Sequence, residues 1–521
     1  MTKKASTLAP DSSRRLLLPL LIGTLLASHA SLASTPRNEA SRIRVFETSL
    51  RPAVSVVGQP EQRWTLQERM EHWKVPGLSI AVIRDGKVAW AKGYGVLQVG
   101  GKELVDTQTL FSVGSVSKVG AAAVTLRLVD AGKLDLDRDV NSYLNAWKVP
   151  ANPYTVTSPV TLRGVMSHSA GLTVHGFADY QPNETLPTTV ETLLGRAPAK
   201  NAKVEVIYTP GSRFQYSGGG TTVEQLAVEE ATGGDFPSAA RRYLFEPLGM
   251  KRSTYENPVP ASLGNIAKAH GWDGKPRALP RGYEAMPEKA ASGLWTTPSD
   301  YSAMVIAFIQ SYQGSGNFLS APLAHQMMSE VGRSVFGLGP RLEGAGVDRR
   351  FSHGGANDSY MAWMEGHLAT GNGVVIFTNG SNGTELYTEA RRAVALSEGW
   401  SEELDYHQRV PAVSLSAAEL SERAGVYAIG DAFVLTTFRH GSDDKAGYEI
   451  VQKDGALYRR EGDESRRLYA MDATNFVDEE GGTTYQFLRD YAGKLNALLV
   501  SEDIGSNTGR IQTRAVKMSA R

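Results

Sequence analysis

The stretch Thr109–Val124, TLFSVGSVSKVGAAAV, decides how the rest of the chain is read. It sets Ser115 and Lys118 three residues apart, just after Gly114 and at the head of an alanine-rich run. Side chains at i and i+3 lie one turn apart on the same helix face, so the hydroxyl and the amine can touch. Two readings fit that spacing: a nucleophile beside its base, or two polar residues at a helix end. The helix start favours the first, because its unpaired N–H groups stabilise developing negative charge. A serine hydroxyl is a poor nucleophile without an adjacent base, and lysine serves as that base when desolvation disfavours its charged form.

The motif alone is permissive. A second copy, Ser442-Asp-Asp-Lys445 in RHGSDDKAGYE, reads as a solvated turn between strands and has no helix-start context. A catalytic reading of Ser115 therefore requires a proton shuttle, an oxyanion hole and a substrate clamp elsewhere in the chain. Residues 211–222, GSRFQYSGGGTT, place Tyr216 before three glycines. Glycines let a backbone pass close to a ligand, and a phenol there can relay a proton; a buried aromatic in a turn is the bland alternative. Residues 349–360, RRFSHGGANDSY, place His353 before Gly354 and Gly355 in a strand that reads as an edge, where the alternative is a satisfied histidine beside a bulge.

The three stretches in this order resemble the serine β-lactamase-like, penicillin-recognising hydrolases of the class C type, which carry S-x-x-K, then Y-x-N, then K-T-G or H-x-G. They stand here as Ser115-Val-Ser-Lys118, Tyr216-Ser-Gly218 and His353-Gly354-Gly355. VPGLSIAVIRDGK, VMSHSAGLT, EPLGMKRST and ASGLWTTPSDYSAM add to the likeness, which covers about residues 64–400. The resemblance implies an α/β structure, an antiparallel sheet flanked by helices, with an all-α lobe and the active site between the two. It implies Ser115 as the acylated nucleophile, Lys118 as its base and Tyr216 as the proton carrier to the leaving atom. The N–H groups of Ser115 and Ala356 would form the oxyanion hole, and His353 would orient Tyr216 and a substrate carboxylate.

Two positions depart from the pattern. Gly218 stands where the asparagine is expected and removes a side-chain contact to the substrate amide. His353 stands in place of lysine and, with an ordinary pKa of about 6.5, removes a permanent positive charge. Both fit D-amino-acid peptidases and esterases better than an efficient β-lactamase. The expected activity is an exported serine hydrolase of peptidase or carboxypeptidase type; a carboxylesterase, a β-lactamase and a slow-turnover penicillin-binding receptor remain the alternatives.

The rest of the chain bounds these readings. Of its 521 residues, 55 are Lys or Arg and 55 are Asp or Glu, so no net field draws it to nucleic acid or an anionic membrane. There is no cysteine, which excludes disulfides, thiolate nucleophiles and thiolate metal sites. No G-x-S-x-G elbow, H-E-x-x-H or P-loop occurs, and His168 and His175 do not make a convincing metal set. No cofactor or metal is expected; the expected partner is a small molecule or a peptide.

Residues 1–33 read as an export signal, with Lys3, Lys4, Arg14 and Arg15 before LLLPLLIGTLLA and a small-residue cleavage site at Ser31-Leu32-Ala33. Ser13-Arg14-Arg15 also resembles a twin-arginine signal, and no stable membrane span is expected once the signal is removed. Residues 34–63 read as a lead-in, 64–400 as the hydrolase domain and 401–411 as a linker. Residues 412–521 form a β-rich domain whose short strands at regular spacing predict an antiparallel sandwich or barrel, similar to the small lipocalin-like barrels appended to some family members. Within 64–400, Asp85-Gly86 predicts a tight hairpin turn, and Thr221 with Glu224 predicts a capped helix start.

Overall fold

The computed structural model describes residues 38–181, 183–411, 413–429, 447–462, 464–478, 483–503 and 510–518. The export signal, the second S-x-x-K at Ser442–Lys445 and the FVLTTF run at 433–438 lie outside them.

A six-stranded antiparallel sheet organises the hydrolase body, in the order Lys87–Gly95, Gly77–Arg84, Gly373–Thr378, Met361–His367, Arg350–Ala356, Arg341–Glu343. The first hairpin turns at Asp85-Gly86 with φ of 52° and 70°, the left-handed pair that a two-residue hairpin loop demands. Met361–His367 and Gly373–Thr378 are buried along their whole length. Such strands carry near-continuous apolar runs because both of their faces are covered. Alternation then sorts the side chains: Val374 and Ile376 enter one core, Val375 and Phe377 the other.

The first of those cores contains Leu386, Ala390 and Val394 of the helix Gly383–Glu398. The second contains Tyr301, Met304, Val305 and Phe308 of Pro298–Tyr312 and continues into a helical lobe built on Ser117–Asp130 and Gly218–Thr232. The sheet-plus-helical-lobe architecture expected from the sequence is thus the one present.

Three boundaries need correction. Residues 39–63 are not a lead-in: the helix Glu39–Thr48 and the bridge at Leu50 bring Phe46 and Leu50, both fully buried, into the core with Ala390 and Val394. Phe46 is the one fully buried side chain of that helix, too sparse a signal for periodicity to reveal. The 401–411 segment is not a bare linker, since it forms the helix Glu402–Asp405 and the strand Gln408–Val410, which pairs in parallel with Val54–Val56. The helix 218–232 begins three residues before Thr221, with Ser217 as its cap accepting the Gly220 N–H at 2.8 Å. Thr221 and Glu224 lie within it, and Glu224 is buried.

The C-terminal region is a closed eight-stranded antiparallel barrel from Gly425–Ile429 to Arg510–Lys517. Its interior holds its own cluster, including Tyr427, Ile450, Leu457, Phe476, Phe487 and Val500. A small set, Ala53, Val54, Val56, Val410 and Val477, joins it to the hydrolase body. Among the described residues no helix is long and apolar enough to cross a membrane.

Candidate active site

Ser115 sits in a single 3₁₀ turn, Gly114–Val116, that leads directly into the helix Ser117–Asp130. Gly114 has φ of +49°, and a Cβ there would lie 2.7 Å from the backbone N and O of Ala356. On the other side, a Cβ at Gly355 would lie 1.9 Å from the carbonyl oxygen of Val113. The serine turn and the end of the strand Arg350–Ala356 are therefore pressed backbone to backbone, which only glycines allow. This contact brings Ser115 and Ala356 side by side. Register shapes the strand end there: the edge strand Arg341–Glu343 pairs with Ser352–Arg350, and His353–Ala356 extend beyond its last paired residue.

We expect Gly114→Ala to cut kcat/KM by about 100-fold or more, because the obstruction is backbone and cannot rotate away; a misplacement near 1 Å suffices for such a loss. Steady-state kinetics beside a melting curve would check this, and near-native kcat/KM in a folded variant would count against the packing argument.

Lys118, 4% exposed, donates to Ser115 Oγ at 3.0 Å and to the Ala291 carbonyl at 2.8 Å. Burial pulls its pKa down to about 7, against the opposing pull of Glu224 and Glu288. Near neutrality a large share of this amine is uncharged and able to accept a proton. Both carboxyls are buried; burial pushes Glu224 up to about 7 and Glu288 up to about 8. Glu224 accepts from Thr125 Oγ1 at 2.6 Å, whereas neither oxygen of Glu288 has a well-shaped side-chain partner.

Tyr216 is buried with its ring centroid 5.1 Å from Lys118 Nζ. Its hydroxyl forms no well-shaped hydrogen bond, and burial raises its pKa despite an offsetting interaction with Ser115. Imidazoles surround the phenol: His168 at 4.2 Å, His175 at 4.8 Å and His353 at 6.4 Å between ring centroids. His168 Nδ1 accepts the Ser217 N–H at 3.2 Å, which leaves its proton on Nε2 and ties the tyrosine segment down.

His353 is fully buried, and its Nδ1 lies 2.7 Å from the Gly354 carbonyl, which can only accept. Nδ1–H is thus the donor, and Nε2 is a buried acceptor with no partner. Burial, with Lys118 nearby, pulls its pKa down to about 3. Burial and Lys118 likewise bring His175 to about 4, and burial holds His168 well below its ordinary value. The expectation of an imidazole near 6.5 at position 353 is corrected accordingly: the ring is neutral across the physiological range and cannot act as a cationic clamp. His168 and His175 flank Tyr216, and among the described residues no group of three or more acidic or histidine side chains is arranged to hold a metal.

The structure therefore brings together Ser115, Lys118, Tyr216, His353, Gly354, Gly355 and Ala356. Gly218 differs from the rest. A Cβ there would meet Phe177 Cε2 at 2.9 Å, so the space beside it is filled by the protein's own ring. Sequence reasoning missed the groups that brace the serine turn. Tyr255 Oη donates to the Ser117 carbonyl at 2.6 Å, Tyr301 Oη to the Val116 carbonyl at 3.0 Å, and Ser117 Oγ accepts the Leu294 N–H at 3.0 Å. A signal was present for most of them. Ser117 lies within the Ser115–Lys118 motif, Leu294 and Tyr301 within ASGLWTTPSDYSAM, and Tyr255 just after EPLGMKRST.

Comparison with known proteins places this geometry. The Beta-lactamase family model matches residues 64–398. Penicillin-binding protein 4 of Amycolatopsis lactamdurans is 29% identical over 346 residues, 62% of this chain and 86% of that protein. The unguisins hydrolase ungD' of Aspergillus campestris is 29% identical over 228 residues, 43% of this chain; the chain spans only 41% of that relative's length. Among solved structures, the octameric penicillin-binding protein homologue from Pyrococcus abyssi superposes with a TM-score of 0.54 at 20% identity, covering 87% of this chain and 98% of that one. SurE with D-Leu gives 0.52 at 21% identity over 87% and 97%, and the hydrolase EstCE1 0.53 at 20% over 68% and 98%. With the family model matching residues 64–398, from just before the first sheet hairpin through the helix Gly383–Glu398, the chain belongs to the Beta-lactamase family, whose members are generally serine hydrolases.

Proposed function

We propose that the protein is an exported hydrolase that cleaves amides or esters through an acyl-enzyme on Ser115, with peptides containing D-amino acids as its preferred substrates. One observation carries the reading: a buried lysine amine, with its pKa brought to about 7, lies 3.0 Å from the serine hydroxyl. Uncharged Lys118 takes the Ser115 proton as Oγ attacks the carbonyl carbon. The resulting oxyanion is held by the N–H groups of Ser115 and Ala356, donors fixed before charge develops. Tyr216, kept protonated by burial and interacting with Ser115, relays a proton to the leaving nitrogen or oxygen. His353 Nε2 accepts a hydrogen bond from substrate or from Tyr216. Water then attacks the ester and regenerates Ser115.

Relatives named as a penicillin-binding protein and as a hydrolase are consistent with this chemistry. β-Lactams are expected to acylate Ser115 but to turn over slowly, because neutral His353 offers no cation to the drug's carboxylate. A screen of D-aminoacyl p-nitroanilides, short p-nitrophenyl esters and a chromogenic cephalosporin tests the proposal, paired with intact-protein mass spectrometry after penicillin. The expected result is turnover of the first or second class with a persistent penicilloyl adduct. Fast, sustained cephalosporin hydrolysis would make the protein a β-lactamase instead.

A further inference from the structure

Residues 173–179, TVHGFAD, run as a strap along the start of the helix that begins just after Tyr216. Ser217 Oγ donates to the Thr173 carbonyl at 2.6 Å, Gly219 N to Val174 at 2.9 Å and Gly218 N to His175 at 3.1 Å. So close an approach depends on bare backbone: a Cβ at Gly219 would lie 2.7 Å from the Thr173 carbonyl oxygen, and one at Gly218 would strike Phe177 at 2.9 Å. The glycines expected to face a ligand thus seat a segment of the chain itself.

The strap also faces the reaction centre. Ser217 is extended, with φ of −145° and ψ of 112°, so positions 216 and 218 project to the same side of it. Tyr216 fills the first of those positions. The half-buried ring of Phe177 fills the space of the second, while His175, two residues earlier on the strap, packs against the Tyr216 ring at 4.8 Å. At the far end the Asp179 carboxyl Oδ2 accepts the Asp358 N–H at 3.0 Å, two residues beyond Ala356. The strap therefore bridges the two sides of the site, with Phe177 between its anchors.

We propose that Phe177 is the wall of the acyl pocket and restricts the protein to acyl groups with small substituents, such as acetyl, butyryl or alanyl. The inference rests on Ser115 being the acylated residue. Position 218 projects to the same side as Tyr216, which interacts with Ser115, so an acyl substituent that runs along that side meets an aromatic ring with few rotamers. Bulky acyl chains meet that ring, whereas small ones do not reach it.

The test compares p-nitrophenyl phenylacetate with p-nitrophenyl acetate on the full chain. In Phe177→Ala the ratio of their kcat/KM values is expected to rise about tenfold, the scale on which apolar pockets discriminate, and Phe177→Leu should fall between Ala and wild type. A second arm uses Gly218→Ala, whose methyl needs the space of the ring. That variant is expected to lose activity alone and to regain part of it in Gly218→Ala/Phe177→Ala, a non-additivity that reads the contact between position 218 and the ring, while the acyl-selectivity ratio is the readout that a merely structural phenylalanine would not move.

An unchanged ratio in variants that melt cooperatively and label fully with a fluorophosphonate at Ser115 would overturn the proposal. So would additive losses in the double variant. Should Phe177→Ala not fold, Phe177→Leu and Gly218→Ala/Phe177→Leu carry the same two readouts. Label mapping to another residue would instead overturn the acyl-enzyme reading, so the two failures are distinguishable.

Discussion

Ser115→Ala is expected to lower kcat for every ester or amide substrate by about 10⁴-fold or more, the scale seen when a covalent nucleophile is removed, with the melting temperature little changed. Ser115 lies in a turn braced through its neighbours: Tyr301 holds the Val116 carbonyl, and Tyr255 holds that of Ser117. Losing one hydroxyl should leave this frame standing. Fluorophosphonate or penicillin labelling with subsequent peptide mapping reads the same residue directly. Ser442→Ala, at the second S-x-x-K, should retain full activity. Label on Ser442, or normal turnover by Ser115→Ala, would remove the proposed mechanism altogether.

The second large effect belongs to Lys118. Lys118→Ala and Lys118→Arg are both expected to lose about 10² to 10⁴ in kcat/KM, since arginine keeps the charge but cannot give up its proton. With the amine's pKa brought to about 7, its basic form accumulates as pH rises through that value. The profile of kcat/KM should therefore climb from acid, bend near pH 7 and level above it. His353, at about 3, contributes no limb in this range. Stability follows the same sign: between about 7 in the folded chain and the ordinary lysine value near 10.4, the unfolded state binds more protons, so folding gains as pH increases. A Lys118→Met variant should lack that component of the pH dependence of unfolding. An acid limb at the same pH in Lys118→Arg would show that some other group is responsible.

Much of the site was legible in the sequence because its chemistry sits in short segments. Ser115 and Lys118 are neighbours on one helix turn, Tyr216 precedes a glycine run and His353 precedes another. Their order along the chain pointed to the architecture before any contact was known. Gly373–Thr378 announced itself through an almost continuous apolar run, and Gly77–Arg84 through a β-rich run interrupted by Ser79, the pattern of strands with both faces covered. The helix Glu39–Thr48 did not, because its single fully buried residue, Phe46, leaves no stripe to read. Gly218 was misjudged for a related reason. A glycine reports that something lies close, and whether that is a ligand or Phe177 is a fact about another segment of the chain.

The sequence by itself determined the nucleophile–base spacing, the three motifs and their order, the hairpin at Asp85-Gly86 and the barrel-like C-terminus. Tertiary structure alone decided the state in which those groups work. Lys118 becomes a base because helix, turn and strand close over it, and His353 stays neutral because it is fully buried beside that same lysine. Charge in a protein is set by solvent exclusion and by neighbours within a few ångströms. Those neighbours come from segments far apart in the chain: Glu224 is 99 residues from the Thr125 that binds it, and the Ala291 carbonyl is 173 residues from the amine it receives.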